Sequence, residues 1–195
     1  MKSKYLILFV LSILFLWSCS DEKYYPKPRA YFRIKLPPKT YQSFDSTYPY
    51  RFEYPSYGKI FFDNRHPNEK YWMNLYFPLF HSTVYFSYKT VDNNLETYIN
   101  DAHSLVSKLI PKADAIKQNV YDDPSKKVYG NVYNIEGSKA ASVLQFYLTD
   151  SSRHFVRGAL YFNNPPNNDS LQPVIDFLKE DIQHIIESFQ WKSIR

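Results

Sequence analysis

Residues 127–163 read KVYGNVYNIEGSKAASVLQFYLTDSSRHFVRGALYFN, and this stretch decides the fold. It contains three runs rich in β-branched and aromatic residues, separated by the short polar segments EGSK at 136–139 and DSS at 150–152. Runs of this composition are typical of strands, and short polar connections containing glycine or aspartate are typical of hairpin turns. The stretch therefore predicts three consecutive antiparallel strands joined as a meander.

Runs of the same kind precede the meander. They are AYFRI, YRFEYP, KIFFD, YWMNLYF and STVYFSYK, followed after a helical segment by ADAIKQNVY. Pro37, Pro38, Pro49, Pro55 and Pro78 fall between these runs or at their ends, where the missing backbone N–H is least harmful to a sheet. Together with the meander, these runs predict a sheet of about six to eight strands.

Two segments have a helical period instead. Over residues 91–110 the apolar positions recur at intervals of three and four, which indicates an amphipathic helix that Asp92 or Asn94 can cap. Its expected buried face is Leu95, Tyr98, Ile99, Ala102, Leu105, Val106 and Leu109.

A second helix is predicted over residues 171–189, with Asp169 as its N-cap. Its expected buried face is Val174, Phe177, Leu178, Ile182, Ile185, Ile186 and Phe189. Glu180 and Asp181 are adjacent on this helix, and paired carboxylates can perform acid–base chemistry in a cleft. The simpler interpretation is that both carboxylates face the solvent.

The order of strands, helix, strands, helix with hairpin connections predicts an α+β domain, in which two main helices pack on a mostly antiparallel sheet. The layout resembles the Mog1/PsbP type of α/β/α sandwich. The segment from Phe52 to Pro55 and the pair Ser188–Phe189 lie where that type has its opening strand and the end of its closing helix. This resemblance concerns the fold and implies no activity.

The chain has one cysteine, Cys19, which excludes an internal disulfide and a cysteine-rich zinc site. Lys2 and Lys4 precede an apolar run that extends from residue 5 to residue 17. This run is shorter than the roughly 20 residues that cross a bilayer, and its pattern is typical of a secretory signal peptide.

The sequence Leu16-Trp17-Ser18-Cys19 resembles a bacterial lipobox. That resemblance implies cleavage between Ser18 and Cys19 and attachment of acyl chains such as palmitate to Cys19. Two or more acyl chains give stable membrane anchoring. The alternative is a signal peptide cut elsewhere, which would leave Cys19 as a spare thiol. The predicted organisation is a lipoprotein signal peptide at 1–18, a lipid-anchored tether at 19–29 and a single globular domain at 30–195.

The sequence gives little sign of catalysis. With four glycines it has neither a P-loop nor a dinucleotide-binding glycine motif, and its five histidines never pair at i and i+4. We therefore expect a protein that is not an enzyme, has no cofactor and no metal site, and takes no small-molecule substrate. An exported chain with a net charge of only +5 is also not expected to bind nucleic acid. Trp72 and Trp191 are candidates for a sugar-binding platform, with core packing as the alternative for each.

The loop NNPPNNDS at 163–170 is stiff and polar. Loops carry function more often than strands do, so Asn163, Asn167, Asn168 and Asp169 are candidates for contact with a partner protein. The alternative is a plain connection between a strand and a helix.

Several long blocks together resemble a known family. They include KPRAYFRIKLP, YPYRFEYP, WMNLYFP, VLQFYLTDSSRHFVRGALYFN and PVIDFLKEDIQHIIESFQWK. These blocks cover nearly the whole mature chain and are similar to the GldD-type gliding-motility lipoproteins of Bacteroidetes. The resemblance implies an exported, lipid-anchored protein, needed for gliding motility and for the associated type IX secretion machinery.

The sequence therefore leads to two hypotheses of different classes. The first is a structural or assembly component of the gliding and secretion machinery, held in the cell envelope, with the outer membrane expected, and contacting protein components of that machinery. The second is a module that binds envelope glycan or peptidoglycan, or a hydrolase whose site has no recognised motif.

Overall fold

The computed structural model describes residues 34–62, 66 and 69–192. These residues form two α-helices, α1 at Leu95–Ser107 and α2 at Asn168–Ser188, and short 3-10 turns at Pro78–Phe80 and Ile110–Lys112. The strands are β1 Tyr41–Phe44, β2 Tyr50–Pro55, β3 Lys59–Phe62, β4 Met73–Phe77, β5 Ser82–Thr90, β6 Ala115–Asp123, β7 Val128–Glu136, β8 Ser142–Thr149, β9 His154–Phe162 and β10 Gln190–Trp191.

Seven strands form the main sheet in the order β3-β4-β5-β9-β8-β7-β6, and every neighbouring pair is antiparallel. The predicted meander is confirmed as β7-β8-β9, and each strand predicted between residues 50 and 163 is present. The earlier run AYFRI lies almost entirely outside the described residues.

A second sheet of three strands, in the order β1-β2-β10, was not predicted as a separate sheet. Its strands are short, and β10 adds only two residues to it, so neither strand length nor alternation indicates it in the sequence. The pairing joins the chain's last described segment to β2, about 140 residues earlier.

A glycine in the centre of the main sheet allows two aromatic rings to meet. Gly158 on β9 lies opposite Phe86 of β5 and Phe146 of β8. The two rings contact edge to face with their centroids 5.8 Å apart. A Cβ atom at Gly158 would lie 2.2 Å from the Phe146 ring, so any side chain here would displace that ring.

The larger hydrophobic core lies between one face of the main sheet, helix α2 and the three-stranded sheet. Aromatic residues dominate it: Phe52, Phe86 and Phe189 are all buried, and Phe52 stacks on each of the other two rings. Every residue of the predicted buried face of α2 is buried, which confirms the periodicity of that helix.

A smaller core lies on the opposite face of the sheet, beneath helix α1. Ala102 and Val106 are its buried helical residues, whereas Leu105 remains 38% exposed, so its predicted burial is wrong. Side chains of β8 alternate between the two cores, with Phe146 in the larger and Tyr147 in the smaller. The α+β class and its layered arrangement of helices on both faces of an antiparallel sheet are therefore confirmed.

The predicted start of α2 needs a correction. The helix begins at Asn168 with Asn167 as its N-cap, and no side chain caps the backbone there. Asp169 is instead inside the first turn, where a carboxylate interacts favourably with the positive end of the helix dipole. Asn94 is the N-cap of α1, although its side chain accepts from the Asp92 N–H rather than from the helix.

Candidate functional site

The predicted lipid-attachment residue Cys19 and the cleavage site between Ser18 and Cys19 lie outside the described residues. The same holds for the proposed signal peptide at 1–18 and the tether at 19–29. Within the described residues, no helix is long and apolar enough to cross a membrane.

The candidate partner-contact loop connects β9 to α2, and its four asparagine and aspartate residues have different environments. Asn163, Asn167 and Asp169 are exposed. Asn168 is only 6% exposed, and its side-chain amide donates to the carbonyls of Gly137 and Ala140 at 2.7 and 3.0 Å. Asn168 therefore fastens α2 to the β7–β8 turn, and partner contact remains a prediction for the three exposed residues.

The two candidate tryptophans differ in a similar way. Trp72 packs against the larger core and donates its indole N–H to the carbonyl of Tyr88 at 3.0 Å. Trp191, on β10, also packs against the larger core. Its indole N–H donates to the carbonyl of Lys127 at 3.0 Å, and the residue lines an open cleft. Of the two, Trp191 is the one positioned to meet a ligand.

The cleft beside Trp191 has a volume of about 530 Å³ and lies at the end of the main sheet where β5 finishes and β9 begins. We call it the basic cleft, after the side chains that line it; besides Asp150 and smaller residues these are Lys126, Lys127, Arg153, His154, Trp191 and Lys192. A volume of this size is typical of pockets that hold a small organic ligand.

His154 and Trp191 form the aromatic wall of the basic cleft. Their rings stack with an interplanar angle of 14° and centroids 5.1 Å apart. The His154 Nδ1 atom lies 2.7 Å from the hydroxyl of Tyr88, with which it shares a hydrogen bond. Burial lowers the pKa of His154 below its ordinary value of 6.5, with Asp150 opposing and Arg153 reinforcing this shift. The wall is therefore uncharged at neutral pH.

Asp150 is the acidic residue that lines the basic cleft, and its carboxylate is occupied by its own turn. Its Oδ1 atom accepts from the backbone N–H groups of Ser152, Arg153 and His154 at 2.8 to 3.0 Å. Burial alone would raise the pKa of Asp150, but these backbone donors outweigh it and lower the pKa below 3.8. The carboxylate therefore stabilises the β8–β9 turn. Among the described residues, Asp150 forms no ion pair with a lysine of the cleft.

Two of the four cationic side chains already have acidic partners. Lys126 pairs with Asp123 at 3.3 Å, and Lys192 pairs with Asp45. Lys127 and Arg153 are exposed and have no ion pair with any described residue. The basic cleft therefore carries positive charge that the described part of the chain does not neutralise.

A second polar group, which we call the Asp181 cluster, consists of Lys39, Tyr41, Tyr57 and Asp181. Asp181 of α2 is fully buried, so the prediction that it faces solvent beside Glu180 is wrong. Its carboxylate accepts from Lys39 at 2.8 Å, from the Tyr41 hydroxyl at 3.0 Å and from the Tyr57 hydroxyl. The buried charge is thus fully partnered, as a buried carboxylate must be.

Both tyrosines of the Asp181 cluster have raised pKa values. Burial and the hydrogen bond to Asp181 raise the pKa of Tyr41 to about 12. The same two causes raise the pKa of Tyr57 well above its ordinary value of 10.0. Lys39 also donates to the Phe177 carbonyl at 2.6 Å and lies 3.6 Å from the centre of the Phe177 ring. Through Lys39, the cluster connects the segment before β1 to helix α2. Its role is therefore to stabilise the fold.

The basic cleft was missed in the sequence because its residues are far apart along the chain. Lys126 and Lys127 lie in the β6–β7 turn and Arg153 lies in the β8–β9 turn. Alternate turns of an antiparallel meander lie at the same end of the sheet. The basic pairs KK at 126–127 and RH at 153–154, each at such a turn, were the available signal.

Comparison with known proteins gives a family and a structural likeness. The family model described as "Gliding motility lipoprotein GldD" matches residues 21–191. No curated protein matches this sequence. The structure is similar to the solution structure of cyanobacterial PsbP (CyanoP) from Synechocystis sp. PCC 6803, with 9% identity and a TM-score of 0.46 over 82% of this chain and 97% of that one.

Proposed function

Because this chain belongs to the family of gliding-motility lipoproteins GldD, we propose that it is a structural component of the envelope machinery for gliding motility and type IX secretion. In this proposal the acylated Cys19 holds the protein in the outer membrane, and the domain contacts protein components of that machinery. The family itself is associated with gliding motility and with lipid anchoring.

One observation carries the proposal. The family match begins at residue 21, two residues after the predicted acylation site Cys19, and continues to residue 191. It therefore covers most of the proposed tether and all the strands and helices of both sheets, so the family model describes this whole domain. A short apolar leader followed by a lipobox-like sequence ending at Cys19 fits the lipoprotein part of that description.

The anchoring step is tested by complementing a deletion strain of the source bacterium. We expect that the deletion abolishes colony spreading and that Cys19→Ala fails to restore it, because the protein is then released from the membrane. Ser20→Ala is the matched control, since it makes a similar change at the next residue and leaves the thiol. Membrane fractionation, mass spectrometry of the mature N-terminus and spreading assays give the readouts. A soluble Cys19→Ala protein that restores spreading would contradict the proposal.

The role as a structural component is tested through the exposed residues of the 163–170 loop. We expect Asn163→Asp with Asn167→Asp to reduce crosslinking to envelope partners and to reduce spreading, because the new charges face outward. The control is Asn93→Asp, an exposed asparagine elsewhere on the described surface. Full spreading with an unchanged crosslinking pattern would remove this loop from the proposed contact.

A further inference from the structure

The basic cleft combines two features that bear on what it could bind. It has two cationic side chains, Lys127 and Arg153, that form no ion pair with a described residue, and it has an aromatic wall. Surface lysines usually lie on convex, solvated faces, where they carry no information about a ligand. Here Lys127 and Arg153 border a concave space of about 530 Å³.

Three acids, at the cleft or next to the lysines that line it, already have donors among the described residues. Asp150 accepts from three backbone N–H groups of its own turn. Asp123 accepts from the Ser125 hydroxyl and the Lys126 N–H, and Asp45 pairs with Lys192. Within the described part of the chain, the charge of Lys127 and Arg153 is therefore left available to a bound anion.

The chemistry of these two side chains favours a phosphate group. Arginine presents a planar fork of N–H donors that matches phosphate oxygens, and lysine adds a compact point charge. Hydrogen bonds between charged partners are about twice as strong as neutral ones. The turn that carries Arg153 is held rigidly by Asp150, so little freedom of the backbone is lost when an anion binds.

The aromatic wall adds a second requirement, because a lone phosphate would leave it unused. The Trp191 ring is held in place by His154 on one side, by the edge-to-face contact with Phe189 and by its bond to the Lys127 carbonyl. A fixed indole next to polar groups is a suitable surface for the C–H face of a sugar ring, since it offers apolar area with little entropic cost. The hydroxyl-bearing side chains Thr90 and Ser152 line the same cleft.

We propose that the basic cleft binds a phosphorylated sugar, with the phosphate at Lys127 and Arg153 and the sugar ring against Trp191. The ligand is defined by this chemistry, and it can be a free sugar phosphate or the phosphorylated sugar headgroup of an envelope glycolipid. The inference rests on the geometry of the cleft and does not depend on the Cys19 anchor.

Calorimetric titration of the detergent-solubilised full chain tests the proposal, with glucose 6-phosphate, glucose and inorganic phosphate as probes. We expect glucose 6-phosphate to bind more tightly than either of the other two. The double variant Lys127→Gln/Arg153→Gln should bind it at least about tenfold more weakly, because both charge-assisted contacts are removed. Trp191→Leu should bring the affinity for glucose 6-phosphate close to that for inorganic phosphate.

The matched control is the double variant Lys59→Gln/Lys112→Gln, which removes the same charge from exposed positions outside the cleft. It should bind glucose 6-phosphate as the parent protein does. Urea unfolding of each variant confirms that it is folded. An equal loss of affinity in the control variant would overturn the proposal, because binding would then follow net charge alone. Absence of binding by the parent, or equal affinity for glucose 6-phosphate and inorganic phosphate, would overturn it as well.

Flotation of the Cys19→Ala chain, which lacks the acyl anchor, with vesicles separates the two sources of the ligand. Vesicles of neutral lipid with added monophosphoryl lipid A present a phosphorylated sugar, and vesicles of neutral lipid with added phosphatidylglycerol present a phosphate without a sugar. Preferential binding to the first, lost in Lys127→Gln/Arg153→Gln, identifies the glycolipid headgroup as a ligand. Binding of free glucose 6-phosphate with no preference for lipid A identifies the free sugar phosphate. Equal binding to both anionic vesicles, without binding of free glucose 6-phosphate, would reduce the cleft to a general anionic-membrane contact and overturn the proposal.

Discussion

The Asp181 cluster and the basic cleft are both built from charged side chains, but they satisfy those charges in opposite ways. Asp181 is fully buried, and its carboxylate accepts from one lysine and two tyrosines of the same chain. In the cleft, Lys127 and Arg153 are exposed and have no ion pair among the described residues. The comparison separates charges that stabilise the fold from charges that are available to bind a ligand.

The physical reason for this separation is the cost of removing water. A carboxylate that loses its hydration must find hydrogen-bond donors within the protein, so the partners of Asp181 are fixed by the fold. Exposed cations keep their hydration and contribute little to the free energy of folding. Lys127 and Arg153 therefore need no acidic partner for the protein to fold. Mutations in the two regions should therefore affect different properties of the protein.

The largest expected effect comes from removing the buried carboxylate. Asp181→Ala should lower the free energy of unfolding by about 3–5 kcal/mol, because the Lys39 ammonium and two tyrosine hydroxyls lose their acceptor. Urea denaturation followed by fluorescence measures this loss. Glu180→Ala is the matched control at the adjacent residue: Glu180 is 73% exposed at its side chain and lies 3.5 Å from Lys39. Its expected change is within about 0.5 kcal/mol.

A double variant sharpens this first test. Replacing both charges, as Lys39→Met with Asp181→Leu, should recover part of the stability lost in Asp181→Ala, since apolar pairs often substitute for buried ion pairs without loss. Equal stabilities of Asp181→Ala and Glu180→Ala would show that the carboxylate is not buried in solution. Asp181 would then be an exposed charge like Lys127 and Arg153, and the distinction between the two regions would be wrong.

The Asp181 cluster also shows what the sequence could and could not predict. Asp181 lies four residues after Phe177 and three after Leu178, so the helical period places it on the buried face of α2. The general exposure of carboxylates argued against that position and led to the wrong prediction. Its partners Lys39, Tyr41 and Tyr57 are more than 120 residues away along the chain, and no local pattern links them to the helix.

The meander, by contrast, was predictable because its information is local. Two runs rich in β-branched and aromatic residues, with the Gly137 turn between them, specify β7 and β8 within one short stretch. The basic cleft depends on both kinds of information. Its β8–β9 turn follows from the meander and its β6–β7 turn directly precedes the meander, but the wall formed by Trp191 depends on the pairing of β10 with β2, which only the folded chain reveals.

Changes in pH should have a smaller effect on the free energy of unfolding. The Asp181 cluster should lose stability at high pH, and the basic cleft should lose stability at low pH. The raised pKa of Tyr41 favours the neutral hydroxyl in the folded state, so this stabilisation is complete below pH 10.0 and is lost as pH rises through about 12. The lowered pKa of His154 favours the neutral ring in the folded state. That stabilisation is present above pH 6.5 and is lost as pH falls through the lowered pKa.

Urea midpoints measured across pH check this pair of predictions. Tyr41→Phe should show a shallower loss of stability above pH 10.0, with an unchanged acid side. His154→Gln should show a shallower loss below pH 6.5, with an unchanged alkaline side. If either substitution altered the slope at the other end of the scale, the two regions would be energetically coupled and their treatment as independent would be wrong.

The smallest effect on stability is expected in the cleft itself. Lys127→Gln/Arg153→Gln should change the free energy of unfolding by no more than about 0.5 kcal/mol, because both side chains are exposed and give up no ion pair among the described residues. Removing two positive charges next to Lys126 and Lys192 also relieves repulsion, so any change should favour the folded state. Urea denaturation at low salt, where that repulsion is least screened, gives the most sensitive measurement.

When a ligand is present, the basic cleft and not the Asp181 cluster should determine the change in the urea midpoint. A compound that binds only the folded state raises the free energy of unfolding in proportion to the logarithm of its concentration, so glucose 6-phosphate should raise the urea midpoint of the parent protein. The same concentration should raise the midpoint of Lys127→Gln/Arg153→Gln much less, because this variant binds the ligand more weakly. Tyr41→Phe should respond as the parent does, because the Asp181 cluster takes no part in binding. A marked destabilisation of the cleft variant without ligand would show instead that Lys127 and Arg153 support the fold, and the contrast between the two regions would be lost.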